Sequence, residues 1–318
     1  NPNNIFAARS KAISEADLVI LLGRKLDYQL AFGSPAVFKE AKFIRISEIA
    51  SELTDNRRGF PEILSNPGEA IDQITMRLSG TNFDVAWINN IKKFHLEKIK
   101  KVSNKKIKEI GDDNKINPNL IFEKIKKLLN DDFVGIADGG DILSFARVGL
   151  QSKYYLDSGV FGCLGVGIPY SIAASKVFKN KKIICVIGDG SFGFNAMEID
   201  TAVRNKSKIC IIVSNNGGWN IEKHDQRLNY GNRVYATSLP HCDYAALAKS
   251  LGAYSVRVND PKKLEQSISD ALENTPSVVD VITSSSIMSS DATKGLGFVR
   301  KYQALDVWDD MEVEFRKN

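Results

Sequence analysis

With 318 residues, 43% of them hydrophobic and 25% charged, and a mean hydropathy of -0.19, the chain has room for two domains with separate cores. No apolar run approaches the ~18 residues of a membrane span, and neither a secretory signal nor a transit sequence is legible at the start, so the expectation is a cytoplasmic protein without a membrane partner. The net charge of +5 is concentrated between Lys92 and Lys108, where eight residues are lysine and only Glu97 is acidic. Clustered lysines attract phosphates. This segment has no arginine and little aromatic content beyond Phe94, so it reads as a solvated helix and no nucleic-acid partner is expected.

Strand-like apolar runs alternate with helical patterns along the whole chain, which predicts a parallel α/β architecture. Residues 17–23 and 41–46 read as buried parallel strands, and Pro67 to Leu78 as a helix. Residues 1–85 then form a small α/β unit, and 86–116 a Lys-rich helical linker. A second α/β domain, 117–283, opens at Asn117-Pro118, a helix cap followed by proline at the first helical position. Its strands are expected near 133–138, 182–188, 208–214, 254–258 and 277–283. Its helices are expected near 162–178, 195–205, 241–251 and 261–273. Asn195 and Glu198 have the spacing of a capping box, and Asp260-Pro261 repeats the cap-plus-proline signal. Residues 284–318 carry no strand pattern and read as a tail over the domain. The four cysteines (Cys163, Cys185, Cys210, Cys242) are far apart, and two lie in apolar strand runs, so reduced thiols are expected.

The chemistry is concentrated between Ile183 and Gln226. One apolar strand ends in Gly188-Asp189-Gly190-Ser191, and the next ends in Asn215-Asn216. Both clusters fall at the carboxyl ends of parallel strands, where open α/β sheets place ligands. The glycines let the backbone turn tightly and approach an anion. Asp189 offers a carboxylate oxygen and Asn216 an amide oxygen, both suited to magnesium, which commonly keeps phosphate oxygens as ligands. The arrangement reads as a magnesium-bridged diphosphate anchor.

Gly-Asp-Gly followed after 24 residues by Asn-Asn, each behind a strand, resembles the signature of the thiamine-diphosphate enzymes. The likeness extends over most of the chain. It is nearest to the branch with acetolactate synthase, pyruvate decarboxylase, benzaldehyde lyase and the oxalyl-CoA decarboxylase and 2-hydroxyacyl-CoA lyase group. The resemblance implies thiamine diphosphate and Mg2+ as cofactors, with Asp189, Asn216 and the carbonyl of Gly218 on the metal and Gly188, Gly190 and Ser191 around the diphosphate. The loop Asp138-Gly139-Gly140-Asp141 would close over the diphosphate, unless it is an ordinary strand-to-helix turn. Gly162 would accept a hydrogen bond from the aminopyrimidine, and Leu164 would wedge between the two rings; the alternative is that Leu164 is core. Ile221 would line the substrate pocket. Glu222 would move a proton in apolar, water-poor surroundings; the alternative is a surface glutamate paired with Lys223 or Arg227. His224 reads as a helix-surface histidine, and no role is assigned to His95 or His241.

Residues 23–46 resemble the later half of the family's central domain, without a convincing FAD, ADP or CoA fingerprint; Arg24 reads as a surface arginine. The family's pyrimidine-binding domain, whose glutamate activates the cofactor, has no counterpart here. The resemblance therefore implies a further part of the polypeptide or a separate chain, and a homodimer or tetramer. Non-oxidative decarboxylation or carboligation of a small-molecule 2-oxo acid is the leading expectation. An acyl-CoA substrate, as in a 2-hydroxyacyl-CoA lyase or oxalyl-CoA decarboxylase, is the second, and a non-catalytic cofactor-binding subunit the third.

Overall fold

The structure is a computed structural model that describes residues 6–103, 107–289 and Ala292. The chain divides into two compact units, to which the described residues 6–103 and 107–289 respectively belong. Most of the segment expected as a tail, 284–318, lies outside the described residues.

The first unit contains α1 (Arg9–Glu15), β1 (Leu18–Leu22), α2 (Pro35–Phe38), β2 (Lys42–Ser47), α3 (Ala50–Thr54), β3 (Glu62–Leu64), α4 (Pro67–Leu78) and α5 (Ala86–Ser103). Its strands form a parallel three-stranded sheet in the order β1-β2-β3. β1 is not fully buried as its run of leucines and isoleucine suggests. It is an edge strand, and Leu18 and Ile20 point outward at 45% and 49% exposure. Strand β3 escaped the sequence reading because three residues carry too little periodicity to register. The expected linker is divided between the units: α5 lies in the first, with Lys92, Lys93, Lys98 and Lys100 exposed, and 107–116 folds with the second.

The second unit runs through α6 (Pro118–Leu128), β4 (Val134–Asp138), α7 (Asp141–Gly149), β5 (Tyr154–Leu156), α8 (Gly167–Val177), β6 (Ile183–Gly188) and α9 (Asp189–Asn195). It continues with α10 (Glu198–Arg204), β7 (Ile209–Asn215), α11 (Asn220–Asn229), α12 (Tyr244–Ser250), β8 (Tyr254–Val258), α13 (Pro261–Glu273) and β9 (Ser277–Ile282). Six parallel strands lie in the order β5-β4-β6-β7-β9-β8. Side chains alternate across the strands, so Ile184, Val186 and Ile212 join one core with α6, α7 and α13. Ile183, Cys185, Ile187, Ile211 and Val213 join a second core with α8 and α12 on the other face. This is the parallel-sheet α/β class the sequence implied. All four cysteines are free, and Cys185 and Cys210 are buried.

The proline-marked caps form as expected. The Asn117 side chain accepts from the Asn119 amide at 3.0 Å, and Asp260 accepts from the Lys262 amide at 3.0 Å. The capping box does not form. Asn195 closes α9, a helix that opens on the Gly-Asp-Gly turn itself, and its side-chain amide donates to the Gly165 carbonyl at 2.8 Å. The helix expected from 162 begins only at Gly167, because Gly162 and Gly165 take left-handed φ of 61° and 87°. Among the described residues, no helix is long and apolar enough to cross a membrane.

Candidate functional site

Strands β4, β6 and β7 are neighbours in register, so Asp138, Gly188 and Asn215 finish side by side at one edge of the sheet. Asp189 follows directly, at 2% exposure. One of its oxygens accepts the Gly217 and Gly218 amides at 2.8 and 3.2 Å, and the other accepts the Gly190 amide at 3.0 Å. A single carboxylate thus straps the 215–218 loop to the turn after β6. Burial nevertheless pushes its carboxyl up to about 6, because the amides compensate only part of the lost hydration.

The two asparagines have different duties. Asn215 is locked: its amide donates to the Cys242 carbonyl and to Asp280, both at 3.0 Å, and its oxygen lies 3.0 Å from His241 Nδ1. His241 Nε2 faces the Lys115 ammonium at 2.7 Å. The ammonium can only donate, so the ring is neutral with its proton on Nδ1. Asn216 is buried too, yet its side-chain oxygen has no hydrogen-bond partner. An orphaned acceptor beside a buried carboxylate fits a cation held by oxygen donors, the chemistry of magnesium. Among the described residues no cluster of three or more His, Cys, Asp or Glu offers an alternative metal site.

Glycine allows side chains to pack closely against the backbone around this point. A Cβ on Gly190 would stand 2.5 Å from the Trp219 ring, and one on Gly140 2.5 Å from Ile221. Ser191 is buried and hydrogen-bonds Asp138. Asp138 accepts the Gly167 and Gly165 amides at 2.8 and 3.3 Å. It therefore ties the 162–167 turn to β4, and burial raises its carboxyl. Gly139 adopts φ 128°, with Gly188 and Ser191 close to where its Cβ would stand. At the start of α7, Asp141 accepts from the Asn220 amide at 2.9 Å, and the same amide nitrogen lies 3.0 Å from His224 Nε2. Burial holds Asp141 up at about 6 and His224 down at about 4. His224 is therefore a core histidine, not the surface one expected, because α11 turns this face inward.

Gly162 lies in open space, and Leu164 is half-buried and belongs to neither core of the second unit. Ile221 is buried against Gly140. Glu222 departs from expectation: it is exposed and makes no ion pair among the described residues, which do not supply its water-poor surroundings. It stands close enough to Asp141 to contribute to the rise of that carboxyl. A cavity of about 210 Å³ lined by Ile125, Leu129, Phe133 and Gly149 lies toward the other end of β4 and shares no residue with the site.

Sequence reasoning missed Lys223, Asn220, His241 and Asp280. A signal was present for the first two: positions 220, 223 and 224 share one face of a helix that also buries Ile221. The contacts of His241 and Asp280 are between residues far apart in the chain and left no local pattern.

The family described as thiamine pyrophosphate enzyme, C-terminal TPP-binding domain, matches residues 139–281, which hold most of this constellation. Residues 139–281 thus carry the C-terminal thiamine-diphosphate-binding domain of that family. An acetolactate synthase large subunit of Mycobacterium tuberculosis is 30% identical over 290 residues, spanning 88% of this chain and 51% of that protein. The 2-hydroxyacyl-CoA lyase 1 of Mus musculus is 30% identical over 298 residues, spanning 86% of this chain and 50% of that protein. The 2-hydroxyacyl-CoA lyase 2 of Homo sapiens is 26% identical over 264 residues, spanning 80% and 40%. The chain spans about half the length, or less, of these relatives.

Proposed function

We propose that this chain holds the diphosphate end of thiamine diphosphate through Mg2+ and serves non-oxidative decarboxylation or carboligation of a 2-oxo acid. The observation that carries the reading is the unpartnered Asn216 oxygen, buried beside the Asp189 carboxylate. In this reading Asp189, Asn216 and the Gly218 carbonyl hold the metal, and Gly188, Gly190 and Ser191 surround the diphosphate. The Asp138–Asp141 loop flanks it, Gly162 and Leu164 meet the two-ring end, and Ile221 lines the substrate side. When bound, thiamine diphosphate supplies an electron sink for bonds made or broken beside a carbonyl.

The chain's own residues do the rest. Asp189 sets the charge and position of the metal, and Gly190 and Gly140 let Trp219 and Ile221 pack against the backbone of the site. Glu222, exposed here, holds or moves a proton once a further domain, from the same polypeptide or a partner subunit, covers it and removes water. The first unit and its Lys-rich helix correspond to the later half of a central domain and its connector. A 2-hydroxyacyl-CoA lyase-like activity is the second reading, and the lyases among the relatives favour it; the Trp219–Gln226 segment, similar to that of pyruvate decarboxylases, favours the first.

The test is calorimetric titration of the chain with thiamine diphosphate and magnesium. Asp189→Ala removes the only charged metal ligand and is expected to abolish the magnesium-dependent heat. Unchanged affinity in that variant sinks the assignment.

A further inference from the structure

Lys223 is a lysine whose surroundings do not account for it. It lies on the first turn of α11, where its amide bonds the Trp219 carbonyl at 2.9 Å and the turn carries the side chain back over the 215–218 loop. The side chain is 8% exposed. Its ammonium lies 3.1 Å from where a Cβ on Gly218 would stand, on the loop that Asp189 straps down. It makes no hydrogen bond or ion pair among the described residues, although its nitrogen is not among the fully enclosed unpartnered atoms. The stem is buried and the tip is left open at the site.

The neighbouring charges do not neutralise it. Arg227 and Lys115 are cations close enough to act on it, and Asp189 is a carboxylate that opposes them. The Asp189 oxygen on that side already accepts two amides. A buried ammonium without an acceptor costs stability, and cationic neighbours add to the cost. If packing were the whole role, an apolar side chain of similar length would serve better. A cation retained in this position is suited to an anion that arrives with the ligand.

We propose that Lys223 is a further binding residue of the site, whose ammonium takes a phosphate oxygen of the diphosphate group. The proposal rests on the thiamine-diphosphate reading above and extends it. A diphosphate carries more negative charge than one divalent cation neutralises, so a second cation at the site has a partner. Charge-assisted hydrogen bonds of this kind are short and roughly twice as strong as neutral ones.

The probe is inorganic diphosphate with magnesium, titrated calorimetrically into the full 318-residue chain, and into Lys223→Met and Lys223→Arg. The unmodified chain is expected to bind, and Lys223→Met to bind about tenfold to a hundredfold more weakly. The methionine variant should melt no lower than the unmodified chain, which a structural lysine would not allow, and Lys223→Arg should recover part of the affinity. Equal affinity in the unmodified chain and Lys223→Met overturns the role of Lys223 while leaving the metal site standing. Absence of binding by the unmodified chain overturns the site reading itself and this proposal with it. Should Lys223→Met fail to fold, the ε-methylene resonance of Lys223 in chain labelled with 13C-lysine decides. It shifts on adding magnesium diphosphate if the proposal holds, and an unmoved resonance overturns it.

Discussion

Each unit buries a long cationic side chain, and the two are treated in opposite ways. Arg45, in the middle of β2 and 2% exposed, gives its guanidinium to the carbonyls of Glu52, Asp55 and Arg57 and to the Asp55 carboxylate. Each of the two terminal nitrogens of its planar fork meets two acceptors, and it fastens the segment between α3 and β3 to the sheet. Among the described residues Lys223 makes no hydrogen bond or ion pair, and a few residues away Asn216 keeps an oxygen without a donor. A satisfied buried charge belongs to the architecture. Unsatisfied groups of opposite demand, gathered at the carboxyl ends of neighbouring strands, define a place that a ligand completes.

This contrast can be broken most forcefully at Arg45. Arg45→Ala leaves the Asp55 carboxylate and three carbonyls without their donor, and an expected loss of about 3–5 kcal/mol should appear in denaturant unfolding of the first unit. A loss below about 1 kcal/mol would remove the distinction between the two cations.

The pH dependence sharpens the comparison next. In the proposed metal role Asp189 must be ionised, and burial holds its carboxyl up at about 6 in the fold against 3.8 for the free side chain. Cofactor affinity should therefore fall as pH drops below about 6, approaching tenfold per pH unit, once the ligand's own titration is subtracted. Stability of the unliganded chain should not fall in parallel. A raised carboxyl contributes stability that is complete below 3.8 and is lost as pH rises through about 6, and Asp141 acts in the same sense. His224 opposes them, since its lowered value makes its contribution disappear as pH falls from 6.5 through about 4. Melting curves and calorimetry at matched pH check the divergence; parallel loss of stability and affinity would contradict it.

The smallest effect is expected at Leu164. It is half-buried and outside both cores of its unit, so Leu164→Ala should cost less than about 1 kcal/mol, against ~2–5 for a core leucine. A melting curve showing a core-sized loss would make Leu164 a packing residue and remove it from the site.

Much of the second unit was legible because its four central strands are continuous apolar runs buried on both faces, and because Asn117-Pro118 and Asp260-Pro261 punctuate their helices locally. Asp189 and Asn216 were legible for a related reason: their spacing is set by one strand-helix-strand passage of the chain. The capping box at Asn195 failed because a nearer acceptor, the Gly165 carbonyl, lies across the fold and outcompetes the local bond. His224 and Lys223 were misjudged or overlooked because a charged or polar residue on a short helix reads as solvent-facing until the neighbour beneath it is known.

By itself the sequence determined the alternation of strands and helices and the parallel sheet, since these follow from periodicity and short-range spacing, and its motifs carried the resemblance to the thiamine-diphosphate enzymes. Only the tertiary structure decided which polar groups are satisfied. The Asn215–His241–Lys115 chain, the Asp141–Asn220–His224 contact and the lone ammonium of Lys223 arise where distant segments meet. A hydrogen bond is a matter of distance and direction in space, and spacing along the chain does not carry that information across separate elements.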